Sequence, residues 1–130
     1  MVDTNNMGKL SWILEDEQDL ELAVLIGSRA TGTAVSDSDW DIAVRWRRGI
    51  APMAMLAATE RLRSRIARTE QVPDDMIDLI DMSTARLAMR AVIAEEGTPL
   101  KGGDAIAWNR FLNRTWRELE EYYWESVYAA

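Results

Sequence analysis

The tightest constraint on this chain is a pair of apolar runs joined by a short polar connection. Leu22, Ala23, Val24, Leu25 and Ile26 lead directly into Gly27-Ser28. After ten further residues comes Asp39-Trp40-Asp41, and Ile42, Ala43 and Val44 follow at once. The first run is apolar at every position, as a strand buried on both faces must be. The connection is too short for the helical crossover that parallel strands need, so the two runs are expected to pair antiparallel. Side chains alternate along a strand, so Asp39 and Asp41 are expected on one side of the second strand.

The rest of the chain alternates in the same manner. Helices are expected over residues 9–17, 51–69, 84–96 and about 104–128. Strands are expected over 22–26, 39–46 and 76–82, with a short edge strand over 98–101. Met55, Ala58, Leu62 and Ile66 recur at helical spacing, and so do Leu87, Ala91 and Ala94. Gly97 fits a helix end. This pattern predicts an α/β (α+β) domain, a small mixed β-sheet with packed helices. At 130 residues, with no repeat and no linker-like stretch, a single domain over 1–130 is expected.

Composition narrows the chemistry. The chain has no cysteine and no histidine. Thiolate catalysis, Ser-His-Asp catalysis and imidazole ligation are therefore excluded. Carboxylates must supply any acid–base or metal work, and such sites suit hard ions such as Mg²⁺. A net charge of −7 argues against direct nucleic-acid binding, which relies on basic phosphate contacts. Residues 1–6 lack the basic and apolar regions of a leader, and no apolar run approaches membrane-spanning length, so a cytoplasmic location is expected.

Two carboxylates on one face repel each other unless a cation offsets them. Two Mg²⁺ ions held by shared carboxylates can stabilise the entering and leaving oxygens of an in-line displacement at phosphorus. Gly27 lets main-chain N–H groups approach a phosphate, and the Ser28 hydroxyl adds a donor. A further carboxylate is expected from the strand at 76–82, where Asp78 and Asp81 must face opposite sides. Asp78 is mid-strand with no helix end to cap, and is assigned to the metal site with Asp39 and Asp41. Asp81 is assigned to a turn or helix N-cap.

The arrangement G-S-x10-D-x-D at Gly27, Ser28, Asp39 and Asp41, with a downstream strand aspartate at Asp78, resembles the minimal nucleotidyltransferase (MNT) family of the polymerase-β-like superfamily. The resemblance covers roughly residues 22–100. The small size resembles in particular the MNT antitoxins of HEPN/MNT toxin–antitoxin modules. It implies a polymerase-β-like fold, with ATP as substrate and two Mg²⁺ ions as cofactors. It implies a cognate HEPN toxin as partner in a hetero-oligomer of type VII-like character. The implied activity is transfer of AMP to a tyrosine of that ribonuclease, which neutralises it. In that reading Asp39, Asp41 and Asp78 are the catalytic and metal-binding residues, and Gly27 and Ser28 hold the leaving pyrophosphate. Two alternatives stand beside it: nucleotidyl transfer to a small hydroxylated molecule such as an aminoglycoside, and an antitoxin that acts by masking alone.

Other features have plainer readings. Arg29 is as well explained by solvation as by a phosphate contact, and Arg45, Arg47 and Arg48 read as a solvated strand exit. In the last helix Trp108, Leu112, Trp116, Leu119, Tyr123 and Val127 fall on one stripe and are expected in the core. Phe111, Tyr122, Trp124 and Tyr128 fall off it and are expected at a protein interface.

Overall fold

The computed structural model of the protein describes residues 4–128, with side chains from residue 8 onward. Residues 1–3, part of the segment without a leader pattern, and residues 129–130 lie outside the described residues. The elements in order are α1 (Thr4–Asp16), β1 (Leu20–Ile26), α2 (Ser28–Thr31), β2 (Trp40–Trp46), α3 (Pro52–Glu70), a 3₁₀ turn (Asp74–Met76), β3 (Ile77–Asp81), α4 (Leu87–Glu96), β4 (Thr98–Lys101) and α5 (Ile106–Tyr128).

The strands form one mixed sheet in the order β3-β2-β1-β4. β1 pairs antiparallel with β2, as the short connection requires, and antiparallel with β4. β2 and β3 are parallel, and α3 makes the crossover between them. β1 sits inside the sheet with helices on both faces, and Leu22, Ala23, Val24 and Leu25 are fully buried. The small mixed α/β architecture is the one expected from the pattern of apolar runs.

Alternation divides the core into two layers. Ala23, Leu25, Ile42, Val44 and Ile77 pack with Leu10 and Leu14 of α1 and with Leu62 and Ile66 of α3. Leu22, Val24, Ile26 and Ala43 face the other way, onto Ile93 of α4 and Trp108 and Phe111 of α5. Burying a side chain such as Leu62 or Ile93 contributes about 1.5–3 kcal/mol, so each layer is held by several such contacts.

Two sequence expectations about α4 are corrected here. α4 begins at Leu87 rather than 84, because Arg86 is extended and takes the N-cap position. Its buried residues are Arg90 and Ile93, and Leu87, Ala91 and Ala94 are only half-buried. Gly97 ends α4 as expected, with an extended backbone. Glycine is needed there for space, since a Cβ would lie 2.5 Å from Val24 Cγ1 on the sheet.

The stripe on α5 is also rotated from expectation. Trp108, Phe111 and Thr115 are buried, whereas Trp116, Tyr123 and Val127 are exposed. Phe111 stacks on Trp108 with ring centroids 5.5 Å apart. Farther along, the helix leaves the core: the buried residues of α5 end at Thr115, and every side chain from residue 120 to 128 is exposed, Tyr123 and Val127 among them. Tyr122, Trp124 and Tyr128 are exposed as expected, and Trp124 stacks on Tyr128 at 4.8 Å.

Candidate active site

β1 ends at Ile26, and Gly27 turns the chain with φ 73 and ψ −160. That backbone region is essentially closed to residues with a Cβ. The Gly27 carbonyl accepts from the N–H groups of Ala30 and Thr31, at 3.0 and 3.1 Å, which winds residues 28–31 into the single turn of α2. This short helix was not legible in the sequence. Ser28 opens it and is half-buried. Gly32 closes it in a left-handed conformation, and the chain then runs through residues 33–39 to β2.

The sheet register brings the aspartates together. Asp41 lies opposite Ile26 on β1 and opposite Asp78 on β3. Parallel partners in register share a face, so Asp41 and Asp78 stand side by side on the layer that carries Ala43 and Ile80. A Cβ on Gly27 would lie 2.5 Å from Asp41 Oδ2, so glycine and carboxylate meet directly. Asp39 is displaced from its expected place: β2 begins at Trp40, so Asp39 stands in the turn one residue before the strand. Asp39 and Asp78 are exposed, and Asp41 is half-buried.

The charges of this group interact. Burial pushes the Asp41 carboxyl above its ordinary value, and the negative charges of Asp78 and Asp39 push it further. Among the described residues no three carboxylates are already gathered in coordinating geometry. The donor set nonetheless fits a hard divalent cation. It consists of carboxylate oxygens only, and the repulsion felt at Asp41 is what a cation relieves.

Asp81 belongs elsewhere. It faces the opposite layer, and its Oδ1 accepts from the Ser83 N–H at 2.9 Å and the Ser83 hydroxyl at 2.6 Å. Of the two roles expected for it, the structure realises the turn and not the N-cap. Arg45 and Arg47 pair with Glu21 and Asp19 at the far end of β2, away from the aspartates.

Two arginines beside the site carry structure that the sequence did not reveal. Arg63 of α3 donates to the Ile77 carbonyl, the one that precedes Asp78 on the open edge of the sheet. Arg29 donates to the Ser38 carbonyl and lies over the Trp40 ring. The only sequence signal for Arg29 was its place directly after Gly27-Ser28.

This arrangement sets a glycine turn against two strand-borne aspartates, Asp41 and Asp78. Residues 8–105 match the model of the family described as polymerase beta, nucleotidyltransferase, and the chain belongs to that family. Among solved structures, the chain is similar to one of a toxin–antitoxin with AMP-PNP, with TM-score 0.71 and 25% identity over 92% of this chain and 91% of that chain. It is similar in fold to a structure of the toxin–antitoxin MntA-HepT, with TM-score 0.66 and 22% identity over 95% and 92% of the two chains. It is likewise similar in fold to a structure of the tri-AMPylated Shewanella oneidensis HEPN toxin in complex with MNT antitoxin, with TM-score 0.66 and 22% identity over 94% and 90%. No curated protein matches the chain in sequence.

Proposed function

We propose that the whole chain is one minimal nucleotidyltransferase domain, and that it is the antitoxin of a toxin–antitoxin pair. In this reading it moves AMP from ATP to a tyrosine hydroxyl of a cognate HEPN ribonuclease in the cytoplasm. Family membership supports nucleotidyl transfer. The similar structures that hold AMP-PNP and an AMPylated HEPN toxin support ATP and a protein acceptor. Among the described residues no helix is long and apolar enough to cross a membrane.

The observation that carries the proposal is the register of Asp41 with Asp78, against the Cβ-free Gly27 and next to the turn that bears Asp39. Asp39, Asp41 and Asp78 would hold two Mg²⁺ ions. Bound there, the ions supply charge stabilisation for the entering and leaving oxygens. The acceptor oxygen forms a bond to the α-phosphorus of ATP while the bond to pyrophosphate breaks. Asp78 takes the acceptor proton, and pyrophosphate leaves towards Gly27 and Ser28.

The test separates chemistry from masking. Cells carrying the toxin with wild-type chain should grow, and cells carrying it with an Asp39→Ala/Asp41→Ala double variant should not. Full protection by the double variant, expressed to the same level, would replace transfer with masking as the mode of neutralisation.

A further inference from the structure

Of the three aspartates, Asp39 is held least by the sheet. It precedes β2, and the pairing of β2 with β3 begins only at Trp40↔Ile77. It is exposed, so its position depends on the residues at either side. One side chain grips both of them. Arg29 donates from Nε and Nη2 to the Ser38 carbonyl, at 3.3 and 2.8 Å. Its guanidinium carbon also lies 4.2 Å from the centroid of the Trp40 ring. Trp40 is a firm anchor, because it is buried in the layer formed with α1 and α3. The loop is tied on its other side too, where Ser38 Oγ accepts from the Val35 N–H at 2.9 Å.

A guanidinium suits this task. Its planar fork can bond a carbonyl in its own plane while its face stacks on an aromatic ring. Arg29 starts from α2, directly after Gly27-Ser28, so it couples the glycine turn to the aspartate turn across the connection. Burial raises the carboxyl of Glu70, at the end of α3, above its ordinary value, and the charge of Arg29 offsets part of that rise.

We propose that Arg29 is a positioning residue: by fixing the backbone before and after Asp39, it delivers that carboxylate to the cation site of Asp41 and Asp78. The inference rests on the reading of the three aspartates as a cation site. It makes a prediction opposite in sign to simple electrostatics. Removing a positive charge beside carboxylates strengthens cation binding, whereas losing the positioning of a ligand weakens it. A role in contacting nucleotide phosphates would leave binding of the bare cation no weaker.

The experiment is a titration of the full chain with Mn²⁺ alone, without nucleotide, reading free Mn²⁺ by electron paramagnetic resonance. Arg29→Met should weaken binding by about tenfold, the lower end of the range for groups that orient metal ligands. Arg29→Lys should also weaken it, since an ammonium has neither the fork nor the planar face. In an Asp39→Asn background, Arg29→Met should cause no further loss. Unchanged or tighter Mn²⁺ binding by Arg29→Met overturns the inference, and so does a full additional loss in the Asp39→Asn background. Should Arg29→Met fail to melt cooperatively, Arg29→Lys in the two backgrounds decides by the same criteria. A wild-type chain that binds no Mn²⁺ overturns the reading of the aspartates and the inference with it. Binding by wild type that Arg29→Met leaves intact overturns the inference alone.

Discussion

At Gly27 a single missing Cβ serves two purposes. The backbone there is left-handed in φ, and Asp41 Oδ2 occupies the space a methyl group would take. Gly27→Ala should therefore lower stability by about 1–3 kcal/mol, the usual cost of that backbone region, and displace Asp41 as well. Urea unfolding checks the first effect, and loss of transfer activity beyond the loss of folded protein checks the second. Asp78 and Asp81 make a sharper contrast, since they differ in the face they present and in their partners. Asp78→Asn should remove most transfer activity with little change in melting temperature. Asp81→Asn should do the reverse, because Asp81 holds the turn at Ser83. An active Asp78→Asn variant would remove Asp78 from the site. At this scale the period of two set Asp78 and Asp81 on opposite faces, and the mid-strand place of Asp78 picked out the one that lies in register with Asp41. Arg29 was not legible, because its partners Ser38 and Trp40 are brought to it only when the connection folds back.

Among the elements, α5 shows where periodicity misleads. Aromatic and aliphatic residues occur on more than one face of it, so several helical stripes can be drawn through the same sequence. The choice depends on where the sheet and α4 stop supporting the helix, and that is a tertiary property. The buried stripe includes Phe111 and ends at Thr115, and the half-buried Glu118 that follows accepts from Arg90 of α4 and from Arg114 of its own helix. Phe111→Ala should cost about 3–5 kcal/mol, as for other buried phenylalanines, and Trp116→Ala much less. Chemical denaturation of the two variants separates them. The Arg90 and Arg114 hydrogen bonds hold the Glu118 carboxyl below its ordinary value. A depressed carboxyl stabilises the fold above its unfolded-state value, and that contribution is lost as pH falls through the folded value. Melting temperature should therefore drop on acidification more steeply for wild type than for Glu118→Gln, with the two curves converging at low pH. The strands were read more closely than the helices. β1 and β4 carry unbroken or short bounded patterns, whereas the start of α4 depended on the backbone of Arg86.

For the molecule as a whole, the sheet gathers Gly27, Asp41 and Asp78 at one end and leaves the last turns of α5 bare. Tyr122 and Tyr128 are 63% and 70% exposed, with Trp124 between them at 50%. Aromatic side chains exposed together in this way are typical of interfaces, and we propose that this part of α5 meets the protein partner. Trp124→Ala should weaken binding of the partner by at least ~2 kcal/mol, about thirtyfold. The melting temperature of the isolated chain should barely move, and calorimetry of binding and unfolding on one sample checks both. The central claim is that the aspartate site transfers AMP to that partner with the help of Mg²⁺. The most direct measurement incubates the chain and its partner with ATP labelled at the α-phosphate and follows label into the partner. The account predicts labelling with Mg²⁺, and none with EDTA or with Asp41→Asn. Label that still reaches the partner in EDTA, or from the Asp41→Asn chain, would contradict it.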